Sequence, residues 1–368
     1  MVQTGLWSWL FFYFGLGLVV GTVLYRSDFC MAGILRDIFL FRDYERLRHL
    51  LLAVVLTLLF FMLLRTFELV PANNFSAGDK NFLLGSVGGI MFGLGMVLAG
   101  GCVFGTLYRM AGGNLTYWIV CSGIIAGSLL YAELHPWLRS VAGNQLWQGD
   151  VNLFERWPEV VGGISWVLIG ILLVVFLYWR RQGKWTVIAA PSGYIQPWLT
   201  AVVLAVANLL AYARSGLPMS VSTMFAKLGA WLEVMLVPEH VAKLDYFRRP
   251  SFVVEIDSTL FPVGGGPQLD FYTYTEGGLM LGILLGAFLN ALWLKEFRFS
   301  GWPPRRQAVS ALVGGALMAL GARMANGCNI KHLLGGVPLL SLHSMLFVCG
   351  MLLGAWIGAQ ILPRIILR

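Results

Sequence analysis

Residues 87–102 read VGGIMFGLGMVLAGGC, and residues 313–328 read VGGALMALGARMANGC. The two stretches align without a gap and coincide at eight of sixteen positions, both ending on Gly-Cys. Each is an apolar run that breaks at glycine and then offers a thiol. A weaker match accompanies the first: RSDFCMAG from Arg26 lies against RSGLPMSV from Arg214, sharing Arg, Ser and Met, with Cys30 opposite Pro218. Interrupted hydrophobic segments in corresponding positions of two halves are the signature of transporters built as inverted repeats.

Composition supports a membrane as solvent. The chain has 368 residues, 58% hydrophobic and only 12% charged, too little charge for the surface of a soluble domain. Nine segments are long and apolar enough to span: 5–25, 50–70, 82–100, 115–135, 161–180, 196–213, 277–295, 308–326 and 341–362. Four shorter semi-apolar stretches, 28–41, 101–113, 216–230 and 327–338, fall short of the roughly 20 helical residues that cross the hydrocarbon. They read as re-entrant half-helices, because broken backbone at membrane depth must be shielded by protein or line a cavity. The expected fold is an all-α polytopic membrane protein, hourglass-like, with two inverted repeats.

The first repeat is placed at 1–138 and the second at 196–368, the latter carrying an extracytoplasmic insert at 232–275. Between them, 139–195 holds a loop, the connecting span 161–180 and a second loop. The odd span inverts the second half. Within the insert, RRPSFVVEIDSTLFPVGGG predicts a small hairpin or cap. The first apolar run, Leu6 to Val23, lacks a basic leader and a cleavage site, so no cleavable signal is expected.

Basic residues set the expected orientation. One side collects Arg42, Arg46, Arg48, Arg180, Arg181, Lys184, Lys295, Arg298, Arg305, Arg306, Arg364 and Arg368. Loops on the other side mix bases with Glu68, Asp79, Glu133, Asp150, Glu155, Glu159, Glu255, Asp257 and Asp270. The positive-inside rule makes the first side cytoplasmic, with the amino terminus outside and the carboxyl terminus inside. It also accounts for the net charge of +8 without nucleic acid.

The five cysteines, Cys30, Cys102, Cys121, Cys328 and Cys349, show no CxxC and no metal-ligand spacing, so neither a disulfide framework nor a metal is expected. Cys121 and Cys349 sit inside spans and read as small buried hydrophobes. Cys30, Cys102 and Cys328 stand at breaks. Gly100, Gly101 and Gly327 let the backbone turn sharply there, and half-helices starting beyond them aim positive dipole ends at the object passing, which should be an anion. A neutral thiol is a weak donor and a soft acceptor that suits a sulfur-bearing anion without trapping it.

Arg36, Arg109, Lys331 and His332 follow the cysteines closely and either draw a dianion to the mouths or snorkel to the headgroups. Arg26 and Arg214 are matched between halves and support loops or entrances. Asp28, Asp37 and Glu276 are candidates for proton coupling or for structural capping. No nucleotide-binding motif or cofactor motif is present, which argues against direct use of ATP.

Three stretches, FCMAGILRDIF, GGIMFGLGMVLAGGCVFGTLYR and NGCNIKHLLGGVPLLSLHS, resemble the cysteine motifs of the YeeE/YedE sulfur-transport family over nearly the whole chain. The resemblance implies a bacterial inner-membrane protein that imports thiosulfate, with Cys30, Cys102 and Cys328 relaying the anion through weak S–H contacts at a central constriction. It also implies a small TusA-like sulfur carrier as cytoplasmic partner. In NGCNIKH, Asn326, Lys331 and His332 stand where many relatives carry smaller or glycine-rich residues. A selenium or other sulfur compound as cargo, a channel for another small solute, and a membrane sulfurtransferase forming persulfides are the alternative readings. The absent CxxC and apolar thiol settings weigh against the last of these, so no enzyme activity is expected.

Overall fold

The computed structural model describes residues 2–67, 69, 75, 81–141, 152–186, 192–248, 250, 252–256 and 259–366. Of the charges used above for orientation, Glu68, Asp79, Asp150, Asp257 and Arg368 lie outside the described residues, as does the side chain of Glu155.

The first half contributes α1 (Val2–Ser27), α2 (Met31–Phe41), α3 (Glu45–Thr66), α4 (Phe82–Leu98), α5 (Val103–Ala111) and α6 (Leu115–Val141). After the short α7 (Leu153–Arg156) comes α8 (Pro158–Arg181). The second half holds α9 (Pro197–Ser215), α10 (Ser222–Leu236), the single turns α11 (Pro238–Val241) and α12 (Asp245–Arg248), and strands β1 (Phe252–Ile256) and β2 (Thr259–Val263). It ends with α13 (Phe271–Trp293), α14 (Arg305–Met324), a π-helical turn (Ile330–Gly336) and α15 (Leu342–Ile366).

Nine helices among the described residues are long and apolar enough to cross a membrane: α1, α3, α4, α6, α8, α9, α13, α14 and α15. The protein is therefore an all-α polytopic membrane protein. Its only sheet among the described residues is the antiparallel hairpin β1–β2, with Phe252 opposite Val263 and Ile256 opposite Thr259. Alternate residues Val254, Ile256 and Val263 bury against Leu217, Phe271 and Tyr272, so the hairpin is seated on the start of α13.

Helix packing follows the glycines. Phe14 meets Gly282 and Leu18 meets Gly286, so α1 and α13 run parallel with their backbones in contact. Gly89 and Gly93 of α4 meet Phe347 and Met351 of α15, and Gly123 and Gly127 of α6 meet Leu312 and Ala316 of α14, again parallel. Gly88 and Gly95 of α4 meet Gly321 and Gly314 of α14, so this central pair runs antiparallel. Small residues let backbones approach where lipid supplies no hydrophobic drive, leaving dispersion to hold the bundle. Exchanging α1, α2, α3, α4, α5 and α6 for α9, α10, α13, α14, the π turn and α15 carries the principal pairings onto one another: α1–α13 onto α9–α3, α4–α15 onto α14–α6, and α6–α10 onto α15–α2. α8 stands apart, packing on α3 with only Ser165, Ile169 and Phe176 buried.

Three differences from the sequence reading bear on the half-helices and the insert. α13 begins at Phe271, because Asp270 accepts the Thr273 N–H and Thr273 Oγ1 closes a capping box on the Asp270 N–H. α10 begins only at Ser222 and runs to Leu236, since residues 218–221 stay non-helical after Pro218. These two helices take residues 232–236 and 271–275 out of the expected insert. The fourth half-helix is a π turn, with Val337 N–H bonding the His332 carbonyl, where Gly335 abuts Pro218 and Gly336 abuts Ser344.

Candidate functional site

Each spanning helix that precedes a half-helix ends on a left-handed residue: Asp28 (φ 45°), Gly100 (φ 71°), Gly216 (φ 67°) and Asn326 (φ 59°). In register with the sequence repeat, Asp28 stands opposite Gly216 and Gly100 opposite Asn326. Asn and Asp are the L-residues that enter this region most readily, which explains how Asn326 replaces a glycine. At three of the breaks the following N–H reaches back five residues, from Phe29 to Leu24, Gly101 to Met96 and Gly327 to Ala322. These are Schellman closures, which satisfy the last carbonyls of the helix inside a bundle that has no water to do it.

The cysteines begin the next elements. Cys30 is the N-cap of α2, and Cys102 is the N-cap of α5, its sulfur accepting the Gly105 N–H at 3.4 Å. Both thiols face Gly105: a methyl there would lie 2.8 Å from the Cys30 sulfur and 3.6 Å from that of Cys102. The two sulfurs therefore flank the same glycine. Both are buried.

Cys328 is fully buried, and the His332 N–H bonds back to its carbonyl as the π turn begins. The adjacent Asn329 joins it to the other pair. Its Nδ2 donates to Met31 Sδ at 3.0 Å, its side chain reaches Cys102, and its Oδ1 has no hydrogen-bond partner among the described residues. Asn329 and Gly105 were not singled out from the sequence. A Cys-x-x-Gly spacing repeated at Cys30–Gly33 and Cys102–Gly105 was the available signal for the glycine; nothing local marked the asparagine.

The cations mostly serve the breaks. Arg109 donates through Nη1 to the Gly100 carbonyl (2.9 Å) and to Tyr117 Oη (2.6 Å), and through Nη2 to Asp28 Oδ1 (2.9 Å). Tyr108 Oη donates to the same Asp28 oxygen at 2.8 Å, and Tyr117 Oη to the Gly100 carbonyl at 3.1 Å. Arg109 thus neither snorkels nor stands free; it ties the first two breaks together. In the second half the carbonyl before Asn326 is held differently. His332 Nε2 and His343 Nε2 each donate to Ala325 O at 3.0 Å, His332 Nδ1 faces Ser344 Oγ at 2.9 Å, and the His332 ring stacks on Phe347.

The remaining predicted residues are dispersed. Lys331 donates to the Asn326 carbonyl at 2.8 Å. Arg36 pairs with its neighbour Asp37 at 2.8 Å. Arg26 donates to the Gly193 carbonyl and lies over Trp293, while Arg214 lies over Trp9 and Phe12 and donates to Ser8 Oγ. The matched arginines hold loops and aromatic rings, away from the thiols. Glu276 caps α10: its Oε2 accepts the N–H groups of Thr223 (2.6 Å) and Met224 (3.0 Å). Cys121 is half-buried on α6 and Cys349 exposed on α15.

Lys227 was missed by sequence reading. It is fully buried on α10, pairs with Asp270 at 2.9 Å and donates to the Gly266 and Gln268 carbonyls, fastening the insert down. Among the described residues one group could hold a metal: Glu133, Glu233 and His240, half-exposed and remote from the cysteines.

Around Gly105, then, two half-helix N-termini and the sulfurs of Cys30 and Cys102 meet, with the Asn329 amide beside them, while the Cys328 loop has the Glu276 carboxylate nearby. Such a place can touch a soft anion without fixing it.

Residues 26–357 match the family described as "Sulphur transport". A chain of Spirochaeta thermophila named "Thiosulfate transporter TsuA" is 30% identical over 354 residues, covering 95% of this chain and 97% of that one. An Escherichia coli chain of the same name is 27% identical over 359 residues, 92% of this chain and 91% of its own. An Escherichia coli chain named "Probable transporter YedE" is 34% identical over 88 residues, 24% of this chain.

Proposed function

The chain belongs to the sulphur-transport family, and from that premise we propose that it imports thiosulfate across the bacterial inner membrane, the anion passing between neutral thiols. The observation that carries this reading is the meeting of Cys30 and Cys102 around Gly105, with Asn329 reaching Cys102 from beside Cys328. Thiosulfate has a soft terminal sulfur and three hard oxygens. Thiols contact the former weakly, while half-helix N–H groups and the Asn329 amide face the latter. Full-length similarity to chains named for thiosulfate favours it over a selenium compound as cargo.

The two halves act as inverted repeats, 1–138 and 196–368, a reading supported by the antiparallel α4–α14 pair and the exchangeable helix pairings. The amino terminus lies outside and the carboxyl terminus in the cytoplasm, where a TusA-like carrier takes the sulfur. The anion meets Cys328 first and the Cys30–Cys102 pair afterwards. Growth on thiosulfate as sole sulfur source, in a host lacking other uptake systems, tests the reading. Cys102→Ala and Cys328→Ala should each abolish growth at normal expression; full growth of both variants would remove the relay.

The nearness of two thiols also favours one other reading, a sulfurtransferase in which a cysteine thiolate takes the outer sulfur of thiosulfate as a persulfide while the S–S bond breaks and sulfite leaves. Serine at position 102 separates them, since a hydroxyl donates a hydrogen bond but carries no persulfide. Partial uptake supports the relay, and a persulfide trapped on the wild-type chain supports the enzyme.

A further inference from the structure

A small cleft lies beside the Cys328 loop, lined by Tyr13, Pro218, Ser220, Tyr272, Glu276 and Lys331 among others. It has room for about one water molecule, roughly 10 Å³. Two of the residues that line it carry a buried polar atom with no hydrogen-bond partner among the described residues: Glu276 Oε1 and Tyr272 Oη. The residues carrying them are 3% and 5% exposed and sit one helical turn apart on α13. Their lack of partners is unusual, because buried polar atoms are nearly always bonded.

The carboxylate is divided by function. Oε2 accepts two N–H groups at the start of α10 and can do so whether Glu276 is charged or neutral. Oε1 is left to the cleft and can take a proton without costing α10 its cap. Sequence reading offered Glu276 as either a proton carrier or a structural cap; the geometry allows one residue to be both. The elements around it present groups that bear on its charge: Tyr13 on α1, Lys227 on α10, Tyr272 on α13, Arg323 on α14, Cys328 just before the π turn and Lys331 on it. Lys331 lines the cleft three residues after Cys328, and Pro218 rests on Gly335 of the same loop, so the cleft and the third cysteine share one piece of backbone.

We propose that Glu276 Oε1 is a proton-binding site that couples proton movement to passage of the anion past Cys328. This rests on the thiosulfate reading above. A dianion entering a negative interior works against the potential twice over, and a proton taken up at Oε1 and released inside lowers the charge moved from two to one. The Tyr272 hydroxyl, facing the same space, relays the proton through the cleft.

Purified full-length protein in liposomes, with membrane potential clamped at zero by potassium and valinomycin, tests this. Uptake of labelled thiosulfate is compared with and without an acid-outside pH gradient, while external pH is followed. Wild type should show at least threefold stimulation by the gradient and alkalinisation outside as thiosulfate enters. In Glu276→Gln the stimulation ratio should fall to about one and the alkalinisation vanish. Tyr272→Phe, which leaves the cap of α10 intact, should lower the ratio to about half and decides the matter if Glu276→Gln does not fold. Full stimulation in either variant overturns the proposal, and so does wild-type uptake that moves no protons. Wild type that carries no thiosulfate overturns the transport reading itself.

Discussion

The two breaks at Gly100 and Asn326 have the same backbone and different chemistry. Both turn through a left-handed residue, both close with a five-residue back-bond, and both are followed by Gly-Cys. In the first, Arg109, paired with Asp28, holds the Gly100 carbonyl; in the second, Lys331 holds the matching Asn326 carbonyl and two histidines hold that of Ala325. Facing partners differ too. Cys102 looks at another thiol, Cys30, whereas the repeat places Pro218 opposite Cys30, and the nearby half-helix α10 is headed by the Glu276 carboxylate. Geometry is thus repeated where the chain must turn, and the side chains around the two turns diverge. A carboxylate lies near one thiol and an arginine–aspartate pair near the others, so the two halves differ in charge around the cysteines.

The largest expected effect separates the residues three positions after each cysteine. Gly105→Ala puts a methyl 2.8 Å from the Cys30 sulfur, while Lys331, its counterpart in the repeat, already carries a long side chain there. Labelled-thiosulfate uptake in liposomes should fall at least tenfold for Gly105→Ala and less than threefold for Lys331→Ala. Equal losses would mean that the two cysteine sites are crowded alike.

Next in size are the turns. A residue with a β-carbon costs about 1–2 kcal/mol in the left-handed region relative to glycine. Gly100→Ala and Asn326→Ala should both lower thermal stability in detergent, whereas Asn326→Gly should leave it unchanged or raise it. Asp28→Asn comes third, removing the charge from a pair in which Arg109 is mostly buried and Asp28 about half exposed. A cost of about 1–2 kcal/mol lies between the values for exposed and buried pairs. Ser344→Ala, its counterpart in the histidine cluster, loses one hydrogen bond worth about 1 kcal/mol. Reversed ranking in urea or thermal unfolding would show that the histidines are the firmer clamp.

The smallest effect concerns the clasp between α6 and α11. Glu133 beside His240, at 2.5 Å, raises the histidine above its ordinary value. A raised histidine contributes stability that is complete below its unfolded pKa and lost as pH climbs through the folded one. Hydrogen exchange at residues 238–241 should therefore quicken, beyond the intrinsic rate, as pH rises past the ordinary histidine range, and His240→Gln should remove the pH dependence.

Much of this was legible from sequence because the bilayer imposes simple arithmetic. Nine apolar runs of sufficient length became nine helices, and a gapless repeat ending in Gly-Cys located two breaks. The match around Arg26 and Arg214 hinted at the others, yet Asp28 gave no sign that it would turn left-handed as Gly216 does. Partner choice was illegible for the same reason throughout. Arg109 finds Asp28 across 81 residues, Lys227 finds Asp270 across the insert, and Asn329 finds Met31 from the far end of the chain. Each choice depends on packing that no local pattern records.

The parallel contact of α1 with α13 bears on how the protein is made. Gly21 rests against Ile283, a residue synthesised about 260 positions later. At ribosomal rates of about 5–20 residues per second, the first helix waits in the bilayer for on the order of tens of seconds before its partner exists. During that interval its glycine face meets only lipid or whatever escorts nascent helices, and the early half cannot mature alone. Assembly of this transporter is a late event, decided when the last third of the chain arrives.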